Sequence, residues 1–211
     1  MRRFIYISQN GADASAPYRF LASKGKGEDY VMQSGMAATA LRPSAIFGPQ
    51  DEFFNTFARL VKLTPFIFPL IGGGKALFQP VSVYDVVEAV VKALEDENTI
   101  GQRLGLGGPE VLTLEDIERR VLQALNAKRA LVSVPVGLLR LPVFLMEKLL
   151  PGAPVNRNLL DLLAVPNVVE DNALPQLGIE PKPFSGEHIA YLCNNSAGQA
   201  LRKFFTNATV N

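Results

Sequence analysis

The sequence predicts an α/β fold with a mainly parallel sheet, and three observations lead to that prediction. Short apolar runs typical of buried strands alternate along the chain with longer stretches of helical periodicity. Because strands that alternate with helices are typical of crossover units, the sheet should be mainly parallel. With 211 residues, of which 48% are hydrophobic, the chain is long enough to form one sizeable core or two small ones.

The strands are predicted where aromatic and β-branched residues cluster. The first is "FIYIS" at 4–8, which is followed by the turn-forming stretch "QNGADASA". The second is "ATALRPSAIFGP" at 38–49, and the third is "QRLGLGG" at 102–108. A short strand is expected after residue 130, whereas the prolines and glycines of "TPFIFPLIGGG" predict irregular structure in that stretch.

The first two helices are predicted at about 18–32 and at 51–63. Gly25 and Gly27 lower the helix propensity of the first one. The second has apolar residues spaced along one helical face, and it begins with the acidic pair "DE". Negative charge is favoured at that end by the helix dipole.

Two further helices have clear start signals. Ser82 is the predicted N-cap of "SVYDVVEAVVKALED", with Asp85 as its capping-box partner three residues later. The buried stripe of this helix is predicted to comprise five apolar residues: Val83, Val86, Val87, Val90 and Leu94. Thr113 is the predicted cap of the next helix. Three residues of that helix are expected to face inward: Ile117, Val121 and Leu125.

Composition excludes several classes of function. The net charge of +1 gives no electrostatic footprint for nucleic acid, so no nucleic-acid partner is predicted. The single cysteine, Cys193, rules out an internal disulfide. Together with the single histidine, His188, it provides no cluster for a metal site. No membrane span is expected, because charges and a proline interrupt even the most apolar stretch, 131–152.

Several motifs occur in an order that resembles a known family. They are "LRPSAIFGPQDEFFNTF", "GGGKALFQPVSVYDVVEAVVKAL", "LGGPEVLTLEDI" and "LGIEPKPF". Over roughly residues 2–184 the chain resembles the C-terminal half of an atypical, extended short-chain dehydrogenase. It is more closely similar to the nucleotide-binding accessory subunits of mitochondrial respiratory complex I and their bacterial relatives. "LRPSAIFGPQD" and "QPVSVYDV" contribute most to this resemblance.

The resemblance implies the C-terminal portion of a Rossmann-like, doubly wound parallel sheet, with a small, mainly helical C-terminal part. Residues 1–130 would be the C-terminal half of the dehydrogenase domain. Residues 131–211 would be a smaller helical or irregular part, similar to a substrate domain, with a tail. In this family a glycine-rich turn in the first half holds the pyrophosphate, and we expect that half to be missing from this sequence. "IGGGK" at 71–75 is no substitute, because no helix pattern follows it.

Dehydrogenases of this superfamily place a tyrosine four residues before a lysine on one helix. The lysine holds the nicotinamide ribose, and the tyrosine transfers the proton that accompanies hydride transfer. By this resemblance the lysine position is Lys24 and the tyrosine position is Phe20, which has no ionisable proton. Tyr18 is two residues away, about 200° round a helix, and would point in the wrong direction. The third catalytic position falls at Ser8 or at Gln9.

The resemblance also gives candidate binding residues, whereas no catalytic residue and no metal site are predicted. NADPH is the cofactor that the family would hold. The five candidate cofactor-binding residues are Lys24, Ser8, Pro43, Ser44 and Ile46. Two simpler explanations stay open at this point: Lys24 can be a solvated lysine of a helix surface, and Ser8 can be a hydrogen-bonding residue at a strand end.

Three hypotheses for function follow. The preferred one is a non-catalytic accessory subunit of complex I, in contact with other complex I subunits, on the matrix side of the mitochondrial inner membrane near the quinone site. The second is an active NAD(P)-dependent reductase or epimerase, against which Phe20 argues. The third is a nucleotide-free module whose segment 134–152 contacts a membrane or lipid, although core packing also explains that apolar segment.

The strand at 4–8 leads to a structural prediction. We expect it to pair in parallel with the strand that begins at residue 38, as the topology of the superfamily implies. Lys24 should then lie at the carboxyl ends of the strands, where ligands bind in such sheets. The other edge of the strand should be covered, because a free row of backbone N–H and C=O groups invites pairing. Strands of the missing half or a neighbouring subunit would cover it.

Overall fold

The elements of the fold are taken from a computed structural model, which describes residues 3–138 and 165–194. The strands in these residues are β1 (Phe4–Ile7), β2 (Ala38–Pro43), β3 (Ile46–Phe47), β4 (Ile67–Ile71), β5 (Leu77–Phe78), β6 (Val81–Ser82), β7 (Arg103–Leu106), β8 (Leu112–Thr113) and β9 (Ala130–Val134). The α-helices are α1 (Arg19–Met32), α2 (Phe53–Leu63), α3 (Val83–Glu95) and α4 (Leu114–Ala124). Short 3₁₀ segments cover Gly72–Gly74, Glu97–Thr99 and Gly186–Asn194.

These elements form two compact units that interleave along the chain. Among the described residues, the first unit comprises 3–48, 78–111 and 167–184. The second comprises 49–77, 112–138, 165–166 and 185–194. A division of the protein at residue 130 stays a prediction about its larger organisation.

A three-stranded parallel sheet in the order β1-β2-β7 forms the centre of the first unit. Phe4 of β1 is opposite Ala38 of β2, and Ala40 is opposite Arg103 of β7. The predicted α/β fold class and the predicted parallel pairing of the first two strands are therefore confirmed. Among the described residues β1 is the outer strand, and its Phe4 and Ile5 side chains are half-buried.

The sheet is covered by α3 on one face. Leu41 and Leu104 are opposite each other in register, so their side chains lie on the same face. Both pack in one apolar cluster with Val86, Ala89 and Ala93 of α3. This face contains the main core of the first unit.

The helix α1 covers the other face through close backbone contact. Tyr6 points its hydroxyl at Gly27 of α1, where a Cβ atom would clash with it. A Cβ atom on Gly25 would likewise clash with the backbone of Asp13 and Ala14. The two glycines, which sequence propensity marks only as weak points of the helix, are therefore what allows α1 to lie this close.

The buried face of α3 differs from the predicted stripe. Val86 is buried as predicted. The prediction that Val87 and Leu94 are buried is wrong, because their side chains are 56% and 46% exposed. The small side chains of Ala89 and Ala93 occupy the core side instead, so the valine spacing misled the assignment of the face.

The N-terminus of α3 was only half anticipated. Ser82 caps it as predicted, because its Oγ accepts a hydrogen bond of 3.2 Å from the backbone N–H of Tyr84. Asp85 is not the predicted capping-box partner. Its buried carboxylate instead accepts hydrogen bonds from the backbone N–H and the Nζ of Lys182, at 2.8 and 2.5 Å.

Arg3 joins the start of β1 to the end of α3. Its guanidinium donates to the carbonyl oxygens of Ala93 and Asp96, at 2.5 and 3.1 Å. It also donates to the hydroxyls of Thr39 and Thr99. A cation at a helix C-terminus satisfies carbonyl groups that have no partner within the helix.

In the second unit, α2 and α4 start with side-chain caps. The carboxylate of Asp51 accepts hydrogen bonds from the backbone N–H groups of Phe54 and Asn55, at 2.6 and 3.2 Å. For α4 the predicted cap is confirmed, because Thr113 and Asp116 form a reciprocal capping box. Along α4 the inward residues match the prediction: Ile117 and Val121 are fully buried and Leu125 is half-buried.

The stretch predicted to be irregular contains a strand. β4 pairs in parallel with β9, and Pro69 is opposite Val132. The carbonyl of Phe66 accepts a hydrogen bond from the N–H of Ala130, so the backbone groups of Phe66 face β9. Backbone groups of every second residue face the same partner, so those of Phe68 also face β9 and the nitrogen of Pro69 points away from it. Proline therefore removes no hydrogen bond from this pair. The following glycines form a 3₁₀ turn before β5, as predicted for a loop.

The helices of the described residues bear on the predicted absence of a membrane span. Across 3–138 and 165–194, no helix has both the length and the apolarity that a membrane span needs. Most of the apolar segment 134–152 lies outside the described residues, so its contact with a membrane stays a prediction.

Candidate functional site

The candidate site lies at the carboxyl end of the first unit's sheet. Lys24 is half-buried on α1, and its Nζ is 3.4 Å from the backbone carbonyl oxygen of Ile7, the last residue of β1. The predicted position of Lys24 at the carboxyl ends of the strands is therefore confirmed. Its contact with a cofactor stays a prediction.

Phe20 stands one helical turn before Lys24 on α1, in the position expected for a tyrosine. Its ring is 38% exposed. Tyr18 is the N-cap residue of α1 and has extended backbone angles, so it stands outside the helix rather than on its far side. The residue one turn before Lys24 is thus a phenylalanine, which carries no hydroxyl.

Ser8 follows β1 directly and is held by its backbone. Its N–H donates to the carbonyl of Leu41 at 2.8 Å, and only 2% of the residue is exposed. Among the described residues, its hydroxyl finds no partner with ordinary hydrogen-bond geometry. It is close enough to the carboxylate of Glu28 to help lower the pKa of that group. Because this oxygen is itself buried, a ligand could reach it only if the surrounding residues moved.

The other predicted binding residues are occupied by the protein itself. The carbonyl of Pro43, at the end of β2, accepts a hydrogen bond from the N–H of Asn10 at 2.9 Å. The N–H of Ser44 donates to Leu106 and its hydroxyl to the carbonyl of Asn167, both at 2.9 Å. Ile46, in β3, packs against the main apolar cluster. The structure thus brings Ser8, Pro43 and Ser44 to the same end of the sheet, but the polar groups of Ser44 already have partners.

A charged cluster that sequence reasoning missed lies against the same sheet. Glu28 of α1 is 1% exposed and accepts hydrogen bonds of 2.9 and 2.6 Å from Arg42 of β2. It accepts another of 2.5 Å from Nε of Arg103 in β7. Burial alone would raise the pKa of Glu28, but hydrogen bonds from Arg42 and Arg103, together with the nearby Ser8 hydroxyl, outweigh it and hold the pKa below its ordinary value. The signal in the sequence was an arginine inside each of two apolar strands, since a buried charge needs a partner.

A second group that was missed consists of side-chain amides. Gln79 donates to the carbonyl of Gly108 at 2.8 Å and accepts from the N–H of Val169 at 3.0 Å. Asn172 accepts from the N–H of Gly107 at 3.1 Å and donates to its carbonyl at 2.8 Å. These amides fix the segment 167–173 beside the end of β7. The only hint in the sequence is that asparagines cluster around residue 170.

The described residues at this end of the sheet suit binding better than proton transfer. Lys24 donates hydrogen bonds, and the hydroxyl of Ser8 can donate or accept one. The one carboxylate of the cluster, Glu28, is neutralised by two guanidinium groups. In the described part of the chain, no group of His, Cys, Asp and Glu side chains is arranged to hold a metal ion.

Comparison with known proteins gives the family context. No protein-family model matches the chain. Subunit 9 of the NADH dehydrogenase [ubiquinone] 1 alpha subcomplex, a mitochondrial protein of Arabidopsis thaliana, is 31% identical over 207 residues, which cover 93% of this chain and 51% of the relative. Over nearly all of its length the chain is similar to subunit 9. The mitochondrial NADH-ubiquinone oxidoreductase 40 kDa subunit of Neurospora crassa is 27% identical, over 90% of this chain and 50% of its own length.

The chain spans about half the length of the curated relatives it matches. Solved structures show its fold. A nucleoside-diphosphate-sugar epimerase from Staphylococcus aureus superposes with a TM-score of 0.65 at 14% identity, over 92% of this chain and 65% of the epimerase. UDP-glucose 4-epimerase from Thermotoga maritima superposes with a TM-score of 0.63 at 16% identity, over 96% of this chain and 64% of the epimerase. The Rossmann-like fold expected from the motifs is therefore confirmed.

Proposed function

We propose that the protein is a non-catalytic accessory subunit of mitochondrial NADH:ubiquinone oxidoreductase. Phe20 is the observation that carries this proposal, because it stands one turn before Lys24, where a dehydrogenase needs a proton donor. General acid–base catalysis contributes typically ~10²–10⁴-fold to a rate, so its loss would be severe. The subunit 9 relatives support the assignment to this enzyme.

The proposal extends to partners and location. Other subunits of the same enzyme would be the partners, and the protein would lie on the matrix side of the mitochondrial inner membrane, near the quinone site. The names of the relatives support a mitochondrial subunit. The finer position rests on the resemblance of the motifs to that subunit family.

NADPH would be held without turnover. Lys24 suits the hydroxyl groups of a ribose, since its Nζ lies at the carboxyl end of β1, where the hydroxyl of Ser8 is buried. The glycine-rich turn that holds the pyrophosphate in this family has no counterpart among these 211 residues. Bound nicotinamide would supply hydride chemistry, but this chain places no proton donor at position 20.

Binding and turnover of NADPH separate the proposal from an active reductase. We expect the purified chain to oxidise no NADPH with carbonyl substrates, and a turnover above ~1 s⁻¹, an ordinary enzyme rate, would contradict the proposal. If NADPH binds, Lys24→Ala should weaken binding, measured by fluorescence. Lys26→Ala, an exposed lysine on the same helix, is the matched control and should leave it unchanged.

Association with the respiratory enzyme is a separate test. In gentle detergent extracts of mitochondria, the protein should migrate with the NADH dehydrogenase activity band in a native gel. An antibody against this chain would detect the position of the protein in the gel. Migration of most of the protein as a free monomer would count against the proposed assembly, whatever the outcome for NADPH.

A further inference from the structure

An open pocket of about 540 Å³ lies at the C-terminal end of α4, within the second unit. Its volume is in the range of small-molecule sites, ~300–1,000 Å³. The walls come from the end of the helix and from the loop that leads into β9. They combine three cations with three apolar side chains: Arg119, Lys128 and Arg129 with Leu122, Ala127 and Ala130.

The pocket is positively charged. The stretch 119–130, "RRVLQALNAKRA", has four cationic residues and no acidic one. One carboxylate pairs with the lining cations, because Glu115 accepts hydrogen bonds of 3.0 and 2.6 Å from Nε and Nη2 of Arg119. This pair is exposed, and such pairs are weak enough for an anion to compete with them. With Glu115 counted, the three lining cations leave a net charge of +2.

This charge is not needed to cap α4. Cations near a helix C-terminus commonly serve the free carbonyl groups of the last turn. Here those groups already have partners, because three of them accept hydrogen bonds from the backbone N–H groups of 125–127. The fourth, the carbonyl of Ala124, accepts one from Sγ of Cys193. Lys128 is exposed, and its ammonium group has no partner among the described residues.

Arg129 is held in place and still has N–H groups to donate. Its Nε donates to the carbonyl of Thr64, the C-cap residue of α2, at 2.6 Å. Its Nη1 donates to the carbonyl of Lys128 at 2.9 Å. A guanidinium group has five N–H donors, so the Nη2 side remains available for two parallel hydrogen bonds to an anion. Because the side chain is already fixed, binding an anion costs little further conformational entropy.

We propose that this pocket binds a small, soluble organic phosphate. Arg129 binds two phosphate oxygens, Lys128 and Arg119 supply further positive charge, and an apolar part of the ligand lies on Leu122 and the two alanines. A phosphomonoester carries a charge of ~−1.5 to −2 at pH 7, which matches the net +2 of the pocket better than a carboxylate does. A lipid headgroup can carry the same phosphate, but a concave pocket with an apolar floor suits a free ligand.

Titration of the full ¹⁵N-labelled chain with phenyl phosphate, followed by NMR, tests the site. The amide signals of Ala127 and Ala130 should shift and saturate, with a Kd of ~1 mM or below. Inorganic phosphate lacks the apolar ring and should bind at least ~5-fold more weakly. Benzoate, which carries a ring but only one negative charge, should also bind more weakly. Added salt should weaken the binding of phenyl phosphate, because the attraction is electrostatic.

Substitutions of the cations test their roles in the same titration. Lys128→Gln removes an exposed charge without a structural partner and should weaken the binding of phenyl phosphate ~10-fold. Arg129→Lys keeps the charge but loses the paired donors, so it should weaken binding as well. Lys92→Gln is the matched control, because Lys92 is an exposed lysine on α3 in the first unit, and it should change nothing. Unshifted amide signals in the rest of each variant report that the fold is intact.

Four results would overturn the inference. The first is the absence of saturable shifts at Ala127 and Ala130, and the second is unchanged binding of phenyl phosphate by Lys128→Gln. The third is equally tight binding of inorganic phosphate or benzoate, which would show that any anion is attracted. The fourth is binding to phosphatidylcholine vesicles that contain phosphatidic acid, without binding of phenyl phosphate. None of these measurements involves NADPH or the respiratory enzyme, so failure here leaves the proposed function untouched.

Discussion

Two glutamates, one in each unit, are both buried, but their pKa values are shifted in opposite directions. Glu28 on α1 and Glu118 on α4 are each 1% exposed. Glu28 is bound by two arginines, and its pKa is lowered. Among the described residues neither oxygen of Glu118 has a hydrogen-bond partner. Burial, with a smaller contribution from Glu115, raises its pKa to about 8.

The difference teaches that partners, rather than burial, decide the charge of a buried carboxyl group. Glu28 is ionised at neutral pH and connects α1 to β2 and β7, so it contributes to the stability of the first unit. Glu118 keeps its proton and leaves two oxygens unpaired within α4, which opposes folding of the second unit. Substitutions of the two glutamates and of a helix cap test this contrast.

The largest effect is expected for Glu28→Gln. The variant leaves the guanidinium groups of Arg42 and Arg103 facing a neutral amide, and breaking a buried ion pair typically costs ~3–5 kcal/mol. Because the side chains of these arginines are 30% and 40% exposed, we expect a loss near the lower end, about 3 kcal/mol. Urea denaturation at pH 7 measures it.

Asp29→Asn is the control for that prediction. Asp29 also pairs with Arg103, at 3.2 Å, but its side chain is 44% exposed. An exposed ion pair contributes ~0–1 kcal/mol, so the loss should be small. Equal losses for the two variants would contradict the claim that burial makes the Glu28 cluster important.

Glu118→Met should stabilise the protein by about 2 kcal/mol at pH 8. Methionine has a similar length and removes two unpaired oxygens. The pH dependence has a definite sign. The folded-state pKa of about 8 is above the ordinary value of 4.5. Proton binding by Glu118 therefore stabilises the folded wild type fully below pH 4.5, and this stabilisation is lost as pH rises through 8.

Urea unfolding of the wild type and of Glu118→Met at several pH values between 4 and 9 measures this effect. The difference in the free energy of unfolding between the two proteins should widen with pH. Glu115→Gln serves as control and should narrow it only slightly, because Glu115 is the smaller cause of the raised pKa. A gap that is independent of pH would show that Glu118 is ionised in the folded protein.

The smallest effect is expected for Thr113→Ala at the start of α4. Asp116 is exposed there, and hydrogen bonds from the side chain and backbone of Thr113 lower its pKa. Loss of a helix cap typically costs ~1 kcal/mol. Thermal unfolding measures the loss, and Thr113→Ser, which keeps the hydroxyl, should recover most of it. Failure of serine to do so would argue against a capping role.

Several local patterns predicted the fold correctly. The apolar run at 4–8, the Ser82 and Thr113 caps and the presence of the four helices each depend on a few neighbouring residues, and the structure agrees with them. Two local signals failed, because Asp85 is not a capping-box partner and the stretch that contains Pro69 forms a strand. Pairing in space was less accessible. Val87 has the spacing of a buried residue, yet Ala89 packs in the core, because which face of a helix is buried depends on what lies beneath it.

The position of Lys24 was predictable, but the partners in the charged cluster were not. The resemblance placed Lys24 at the carboxyl end of β1, and the structure finds it there. The contacts of Glu28 with Arg42 and Arg103 join residues that are 14 and 75 positions apart. The arginines in apolar strands indicate that a partner is needed, but a single sequence does not identify which residue it is. Gly25 shows the same limit, because the backbone that it approaches belongs to another segment.

The hydrogen bonds of Arg3 give β1 a second attachment besides its pairing with β2. The Arg3 guanidinium is fixed to the carbonyl oxygens of Ala93 and Asp96 at the end of α3. Local opening of β1 must therefore break bonds to the helix as well as to the sheet, so the strand and the end of α3 open together.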